Sequence, residues 1–488
     1  MAMPRWIVAH PVKIALLLIV GLPLLLYAII AARFYTASPN IARNYMQEIN
    51  DALPTEGEPA WSGLVDAWAT FYAAPVEIRN SIWGNDAFDP QTHADTVAWL
   101  AAHPEHVPAI RDAARKPRLG LRFTDATDPV YARASMPDYA PEEPSENPVL
   151  WTIVLPHLSV VRQHARTVAA HALIAAEAGQ TDDAIADIRA ILDLANHAAD
   201  PPFYITQLVR AAIVALAADT AVRLVHEHAD RFTPPQLDEL DRTLASFDPA
   251  SLVLDMRFEH MGFDDTLQRV YTDDGRGNGR LTPEGARLLA EMVCSTPEVI
   301  PNWARYIPTA PLFAMGFPSR RTLNEAYHTH LDAARQRAAT PIWQWGPMPD
   351  LADPAEAARG ERLLLVWLPV SFRAGVESER ARMLLEGARV AVALHRYRAE
   401  HGRYPETLDQ LIPAWLEQHP TDRATGRPLP YRVTEGRPLL YSVGLDGIDE
   451  DGRHTDEAWK TWRPRPTTGA HEPRGDFQIY PPHEPTPN

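Results

Sequence analysis

The chain has 488 residues and a formal charge of -17, from 46 Lys and Arg against 63 Asp and Glu. A surface this acidic argues against nucleic acid as a partner class, because phosphate-backbone binding needs a basic footprint. The single cysteine, Cys294, excludes an internal disulfide and a cysteine-built zinc site, and the length implies two or three domains rather than one core.

The first predicted element is apolar. Residues 14–32, IALLLIVGLPLLLYAIIAA, are 19 uncharged residues in a row. As a helix they extend about 28 Å, close to the hydrocarbon thickness of a bilayer. Pro23 is expected to kink this helix, which membranes tolerate. Trp6, Tyr27 and Tyr35 are placed to sit near the interfaces. The run is longer than the apolar part of a typical signal peptide, so an uncleaved anchor over residues 1–36 is the expectation. Arg5 and Lys13 precede the run and Arg33 closes it, with no acid before residue 37, so the remaining chain carries -20. A large acidic body following an N-terminal anchor is expected on the extracytoplasmic side of a bacterial inner membrane, held by a single pass.

Residues 37–375 are expected to form an α-helical body. In RQHARTVAAHALIAAEAGQTDDAIADIRAILDLANHAAD, Leu173, Ile174 and Ala178 fit one helix that Gly179 closes. Thr181 is a candidate cap for the next, with Asp182 and Asp183 in its positive first turn. Ile185, Ile188, Ile191, Leu192 and Ala195 then recur at helical spacing. The two make an antiparallel hairpin similar to a single tetratricopeptide-type unit, with no second copy at a fixed period. Further starts are expected at Thr233-Pro234, at Thr282-Pro283 and at Asp353. The proline-rich stretches 117–150 and 341–352 read as ordered loops or linkers.

Chemistry-bearing patterns in the body are sparse. His157, His164 and His171 recur every seven residues, about 10 Å apart on a helix, too far for two to share an ion, and are expected to be surface or capping histidines. YTDDGRGNGRLTPEG, 271–285, sets Asp274, Asn278 and Gly279 in an incomplete calcium-loop pattern. Arg276 stands where an oxygen ligand is required, so a glycine-rich connection is the preferred reading. Cys294 reads as a buried thiol. FEHMGFDD gathers Glu259, His260, Asp264 and Asp265, acid and base types that suit hydrolysis, although adjacent residues on a helix point apart.

Residues 376–488 are expected to form a small α+β domain. A long amphipathic helix carries Leu384, Ala388, Ala391 and Leu394 and ends at His401-Gly402, and a short helix follows Pro405. Three strand candidates come next: LPYRV (429–433), PLLYSV (438–443) and DFQIYP (476–481). The second strand runs into YSVGLDGIDEDG, where Asp446, Asp449 and Asp451 alternate with Gly444, Gly447 and Gly452.

This order, with ALHRYRAEHGRYPETLDQLIP, LPYRV and LLYSVGLDGIDEDG, resembles the globular domain of the major (G-type) pseudopilin of type II secretion systems. The resemblance covers less than a quarter of the chain. It implies that Asp446 is a calcium ligand, with Asp449, Asp451 and backbone oxygen near Ser442 completing the shell. Calcium takes six to eight hard oxygens, and glycines let carbonyls turn inward. An acidic hairpin loop without an ion is the competing reading. Pseudopilins continue directly from membrane helix to globular helix, whereas here the anchor lies far upstream, so processing as a pilin is not expected.

The expected protein is thus mainly α, with an anchor, a body of helix hairpins and a pseudopilin-like end. Binding or scaffolding is the expected function, near a secretion or envelope system and among protein partners in the envelope. A membrane-anchored periplasmic hydrolase with its site in the helical body is the alternative.

Overall fold

The computed structural model describes residues 17–83, 90–136, 143–253, 258–293, 310–345, 369–454 and 475–482. Cys294, the start expected at Asp353 and the anchor before residue 17 lie outside them. Within the described residues the protein is mainly helical, with sixteen α-helices and two small sheets near the C-terminal end.

The first helix, α1 (Leu22–Tyr35), follows a π-helical turn, Leu17–Gly21. Pro23 sits where the π-helical turn gives way to α1. The stretch Leu18–Tyr35 has a mean hydropathy of 2.0 and only 6% of it is buried, so among the described residues there is one helix, near the N-terminus, long and apolar enough to cross a membrane. Helix α2 (Tyr45–Ala52) then joins an N-terminal layer of α3 (Trp61–Tyr72), α4 (Val76–Trp83), α5 (Pro90–Ala102), α6 (His106–Ala114) and α7 (Pro129–Ser135).

The centre of the molecule is the expected hairpin, α8 (Pro156–Glu177) and α9 (Thr181–His197), with α10 (Tyr204–His228) laid against both. Gly179 adopts φ +77°, while Gln180 N–H bonds Ala175 O (2.7 Å) and Gly179 N–H bonds Ala176 O (3.0 Å). That pattern closes α8 and turns the chain back. Gln180, not Thr181, takes the cap position of α9. Arg111 of α6 ties the layers together: its Nε reaches Asp187 Oδ1 at 2.7 Å, its Nη1 reaches Asp183 Oδ1 at 2.8 Å, and His171 Nδ1 meets Asp187 Oδ2 at 2.6 Å.

Two members of the seven-residue histidine series do not lie on the surface, and the third, His171, is half-buried. His157 and His164 are fully buried, and His164 donates from its ring to Leu64 O at 2.8 Å. Helix α3 covers this face of α8, with Trp68 edge-on to His164, so a spacing that reads as a solvated stripe is an interior one. Burial holds both rings neutral, pushing His157 down to about 3 and His164 to about 4.

Helices α11 (Pro234–Ala245), α12 (Glu259–Val270), α13 (Pro283–Val293), α14 (Ala310–Met315) and α15 (Arg320–Ala338) complete the body. Thr233 and Gln236 form a capping box at α11, and Thr282 Oγ1 accepts from Gly285 N–H at 2.9 Å to cap α13, as the sequence predicts. Phe34 of α1 joins Tyr204, Phe263, Tyr271, Leu281 and Tyr327 in an apolar cluster apart from the main core.

The last helix, α16 (Pro369–His401), packs along α10 and α11 and also against the C-terminal sheet. The boundary expected at 375/376 falls inside it, and one apolar cluster runs from Tyr45 to Tyr480 through both parts. After Gly402 (φ +73°) comes a 3-10 turn, Leu408–Leu411, where a short helix is predicted. A two-residue hairpin, β1 (Thr421–Asp422) with β2 (Arg427–Pro428), precedes the antiparallel sheet β3 (Tyr431–Thr434), β4 (Arg437–Ser442) and β5 (Phe477–Tyr480). Gly387 lets β5 approach α16, since a Cβ there would lie 2.5 Å from Ile479 Cγ2.

Candidate functional site: an acidic loop and a cleft

The acidic loop begins where β4 ends, and a buried carboxylate sets its start. Asp422 is 1% exposed; its Oδ1 accepts from Ser442 Oγ (2.8 Å) and Ala424 N–H (2.9 Å), and its Oδ2 from Val443 N–H (3.1 Å). The Ser442 hydroxyl is therefore committed to Asp422. Asp446 Oδ1 accepts from Ile448 N–H at 3.1 Å. Asp449 Oδ1 accepts from the Tyr441 hydroxyl (3.0 Å) and Asp451 N–H (2.9 Å). Asp451 is exposed with φ +59°, beside Arg432.

Two further acids complete the picture. Asp476, just before β5, is fully buried; its Oδ2 accepts from Glu450 N–H (3.0 Å) and Gly452 N–H (2.7 Å), while its Oδ1 has no hydrogen-bond partner among the described residues. Both carboxylate oxygens of Glu450 are likewise shielded without a partner. Burial, then the nearby Glu450 and Asp449 charges, push Asp476 up to about 6. Shielded carboxylate oxygens with no donor are costly, and a divalent cation relieves that cost by supplying positive charge to several at once. Among the described residues no group of three or more His, Cys, Asp or Glu is gathered closely enough to hold a metal ion, so the loop would have to draw Glu450 and its neighbours inward on binding. Asp449 belongs to both the predicted set and this one. Glu450 stands within the motif unremarked, and Asp476 is brought in only by the pairing of β5 on β4.

A cleft of about 1060 Å³ lies between the end of α10 and the C-terminal sheet. On its floor the Tyr480 hydroxyl lies 2.7 Å from His395 Nε2 and 3.5 Å from His226 Nδ1. Burial, then Arg398 and His226, push His395 down to about 3, so that ring is neutral. Arg398 lies over the Tyr404 ring and donates to its hydroxyl at 3.1 Å, while Arg437 and Glu406 also line the walls. The cleft thus offers aromatic faces, neutral ring nitrogens and charges of both signs.

The four residues of FEHMGFDD divide between two faces of α12. Asp265, 1% exposed, accepts from Leu150 N–H (2.7 Å) and Arg269 Nε (2.9 Å), and so holds the 147–150 segment in place. Glu259 accepts from Tyr204 N–H at 3.2 Å, and burial pushes it up to about 7. Asp264 is also raised by burial, with His328 Nε2 at 3.9 Å and His260 nearby. The structure brings Glu259, His260 and Asp264 to the side of α15 and leaves Asp265 on the other. None of the four lines the α10 cleft. In the 271–285 connection, Asp274 Oδ1 accepts from Arg276 N–H (2.8 Å) and Asn278 N–H (2.9 Å), so this carboxylate shapes its own turn.

No family model, curated protein or solved structure matches this chain.

Proposed function

We propose that this is a single-pass, membrane-anchored binding or scaffolding protein with its body on the extracytoplasmic side of a bacterial inner membrane, working near a secretion or envelope system. The observation that carries the reading is the α10 cleft. It is large, its walls come from both the helical body and the C-terminal module, and its mixed aromatic and charged lining suits a polypeptide segment. A photoreactive residue at Arg437 in the cleft is expected to capture an envelope protein in intact membranes, while one at the exposed Glu58 is not. Equal capture at both positions would count against the cleft as the binding site.

The C-terminal module is read as pseudopilin-like, with calcium ordering its acidic loop. Its support is three shielded carboxylate oxygens without a hydrogen-bond partner among the described residues, both of Glu450 and Oδ1 of Asp476, beside Asp449. Calcium in hundredfold excess over its Kd is expected to stabilise the protein by about 2.7 kcal/mol, raising the melting temperature by several degrees. The Glu450→Gln, Asp476→Asn double variant is expected to lose that response. The pH dependence follows from the raised Asp476. Between about 4 and about 6 the folded protein holds a proton that the unfolded chain releases. Stability of the calcium-free protein therefore falls as pH rises through this window, and calcium is expected to remove that fall. A melting profile indifferent to calcium and chelator across the window would sink the cation reading.

A second reading, an anchored hydrolase, is favoured by one observation, the near-neutral Glu259 beside His260 and Asp264. It predicts turnover of a model ester, peptide or phosphoester substrate that Glu259→Gln abolishes at unchanged melting temperature. Turnover equal in parent and variant removes it.

A further inference from the structure

The face of the body next to α1 carries two features that neither the cleft nor the acidic loop uses. The first is apolar. Helix α14 packs against α1, and its Ala310 and Ala314 rest on the cluster that includes Phe34. Leu312 and Met315, three residues apart on the outward side, are 51% and 65% exposed. Scattered exposed apolar side chains need no explanation. These two instead stand on a helix packed against α1, whose Leu24, Leu25, Leu26 and Ile29 are themselves each about half exposed or more.

The second feature is positive charge on a chain whose net charge is -17. Arg33 is exposed in the last turn of α1, and Arg280 donates from Nη2 to the Arg33 carbonyl at 3.2 Å. The Arg280 loop continues to Arg276, whose carbonyl accepts from Arg321 Nη2 at 2.8 Å. Two of the loop's own acids are engaged: Asp273 pairs with Arg320 at 2.6 Å, and Asp274 caps loop amides. Glu284, exposed at the start of α13, is the remaining carboxylate of this stretch. Arg33, Arg276, Arg280 and Arg321 thus form a linked basic patch at the end of the apolar helix.

We propose that the body docks on the bilayer through this face. Leu312 and Met315 enter the interfacial zone beside α1, and Arg33, Arg276, Arg280 and Arg321 bind the phosphates of anionic phospholipid headgroups. The proposal rests on the reading of α1 as a membrane anchor. Its physical basis is the packing of α14 against the apolar helix and charge complementarity: juxtamembrane arginines gain roughly 1 kcal/mol each near an anionic leaflet, and short apolar faces beside them insert shallowly. Docking of this kind holds the body against the membrane instead of letting it swing on its anchor, and it turns the opposite side toward partners.

The test uses the full-length protein with Cys294→Ser, reconstituted in nanodiscs of phosphatidylcholine alone or of equal parts phosphatidylcholine and phosphatidylglycerol. An environment-sensitive fluorophore is attached at Leu25→Cys, Leu312→Cys, Met315→Cys or, as a remote exposed control, Val130→Cys. Nitroxide-labelled lipids are expected to quench the first three severalfold more than the fourth. Quenching at 312 and 315 is expected to be stronger with phosphatidylglycerol, and Arg280→Glu with Arg321→Glu is expected to cancel that gain at unchanged melting temperature. Quenching at 25 without quenching at 312 and 315 overturns the docking and leaves the anchor standing. No quenching at 25 overturns both. Equal quenching at 130 and 312 denies that this face is the one engaged. Indifference to headgroup charge and to the double reversal denies the arginine–phosphate contacts.

Discussion

Replacing Arg269 by alanine is expected to lower the unfolding free energy by about 3–5 kcal/mol, because it strands a buried carboxylate. Asp265 is 1% exposed and the Arg269 side chain 9% exposed, and Nε of Arg269 spans both carboxylate oxygens at 2.9 and 3.0 Å. The same guanidinium donates to Pro148 O at 2.8 Å and to Asn147 Oδ1 at 3.1 Å. Without it, Asp265 keeps only Leu150 N–H and Gln268 Nε2, and the loop leading to α8 loses three acceptor contacts. Urea titration of the full-length protein in detergent measures the change. A loss under about 1 kcal/mol, the size ordinary for an exposed pair, would show that this carboxylate is not held as described. The outcome also bears on the hydrolase reading, since it separates Asp265, which organises the fold, from Glu259, His260 and Asp264 on the other face of α12.

The second large effect concerns acid. His106 is 2% exposed, and neither ring nitrogen has a hydrogen-bond partner among the described residues. It sits edge-on to Trp99 and 6.2 Å from the His164 ring. Burial, then His164 and His103, push it down to about 3. The folded protein therefore keeps this ring neutral while the unfolded chain protonates it near 6.5. Between those values the unfolded state binds more protons, so stability falls as pH falls. His106→Leu removes that dependence. Its margin over the parent is expected to widen by about 1.4 kcal/mol per pH unit below 6.5, reaching about 2 kcal/mol at pH 5. Glu259, Asp193 and Asp476, all raised by burial, act in the opposite direction, so the parent's own profile is a composite. The difference between variant and parent isolates one ring. A margin constant from pH 7 to pH 5 would show that His106 is solvated and titrates normally.

Much of the architecture is legible in the sequence because its signals are local. Ile185, Ile188, Ile191 and Leu192 recur at helical spacing, and all four are buried in α9. The predicted turn at Gly179 and the caps at Thr233 and Thr282 form through contacts within a few residues of each other. The three strand candidates pair as one antiparallel sheet, since each carries its own extended-chain preference. The site residues are less legible. Asp446, Asp449 and Asp451 stand out as a motif, yet the shielded acids are Glu450 and Asp476, the latter adjacent only through the sheet. The signal that was available was the acid opening DFQIYP, an ionisable residue at the head of a buried strand.

Composition and local pattern by themselves determined an acidic, mainly helical protein with one exposed apolar helix near its N-terminus and a small sheet near its C-terminus. These properties depend on neighbours within a turn or two and on total charge, which a linear chain already contains. Tertiary structure alone decided that His164 of α8 is interior, because that depends on α3 covering one particular face. It alone placed α16 against both the helical body and β5, joining regions whose sequences look separable. Burial and pairing at long range are properties of contacts between distant segments, and no periodicity within one segment encodes which surface its partner will cover.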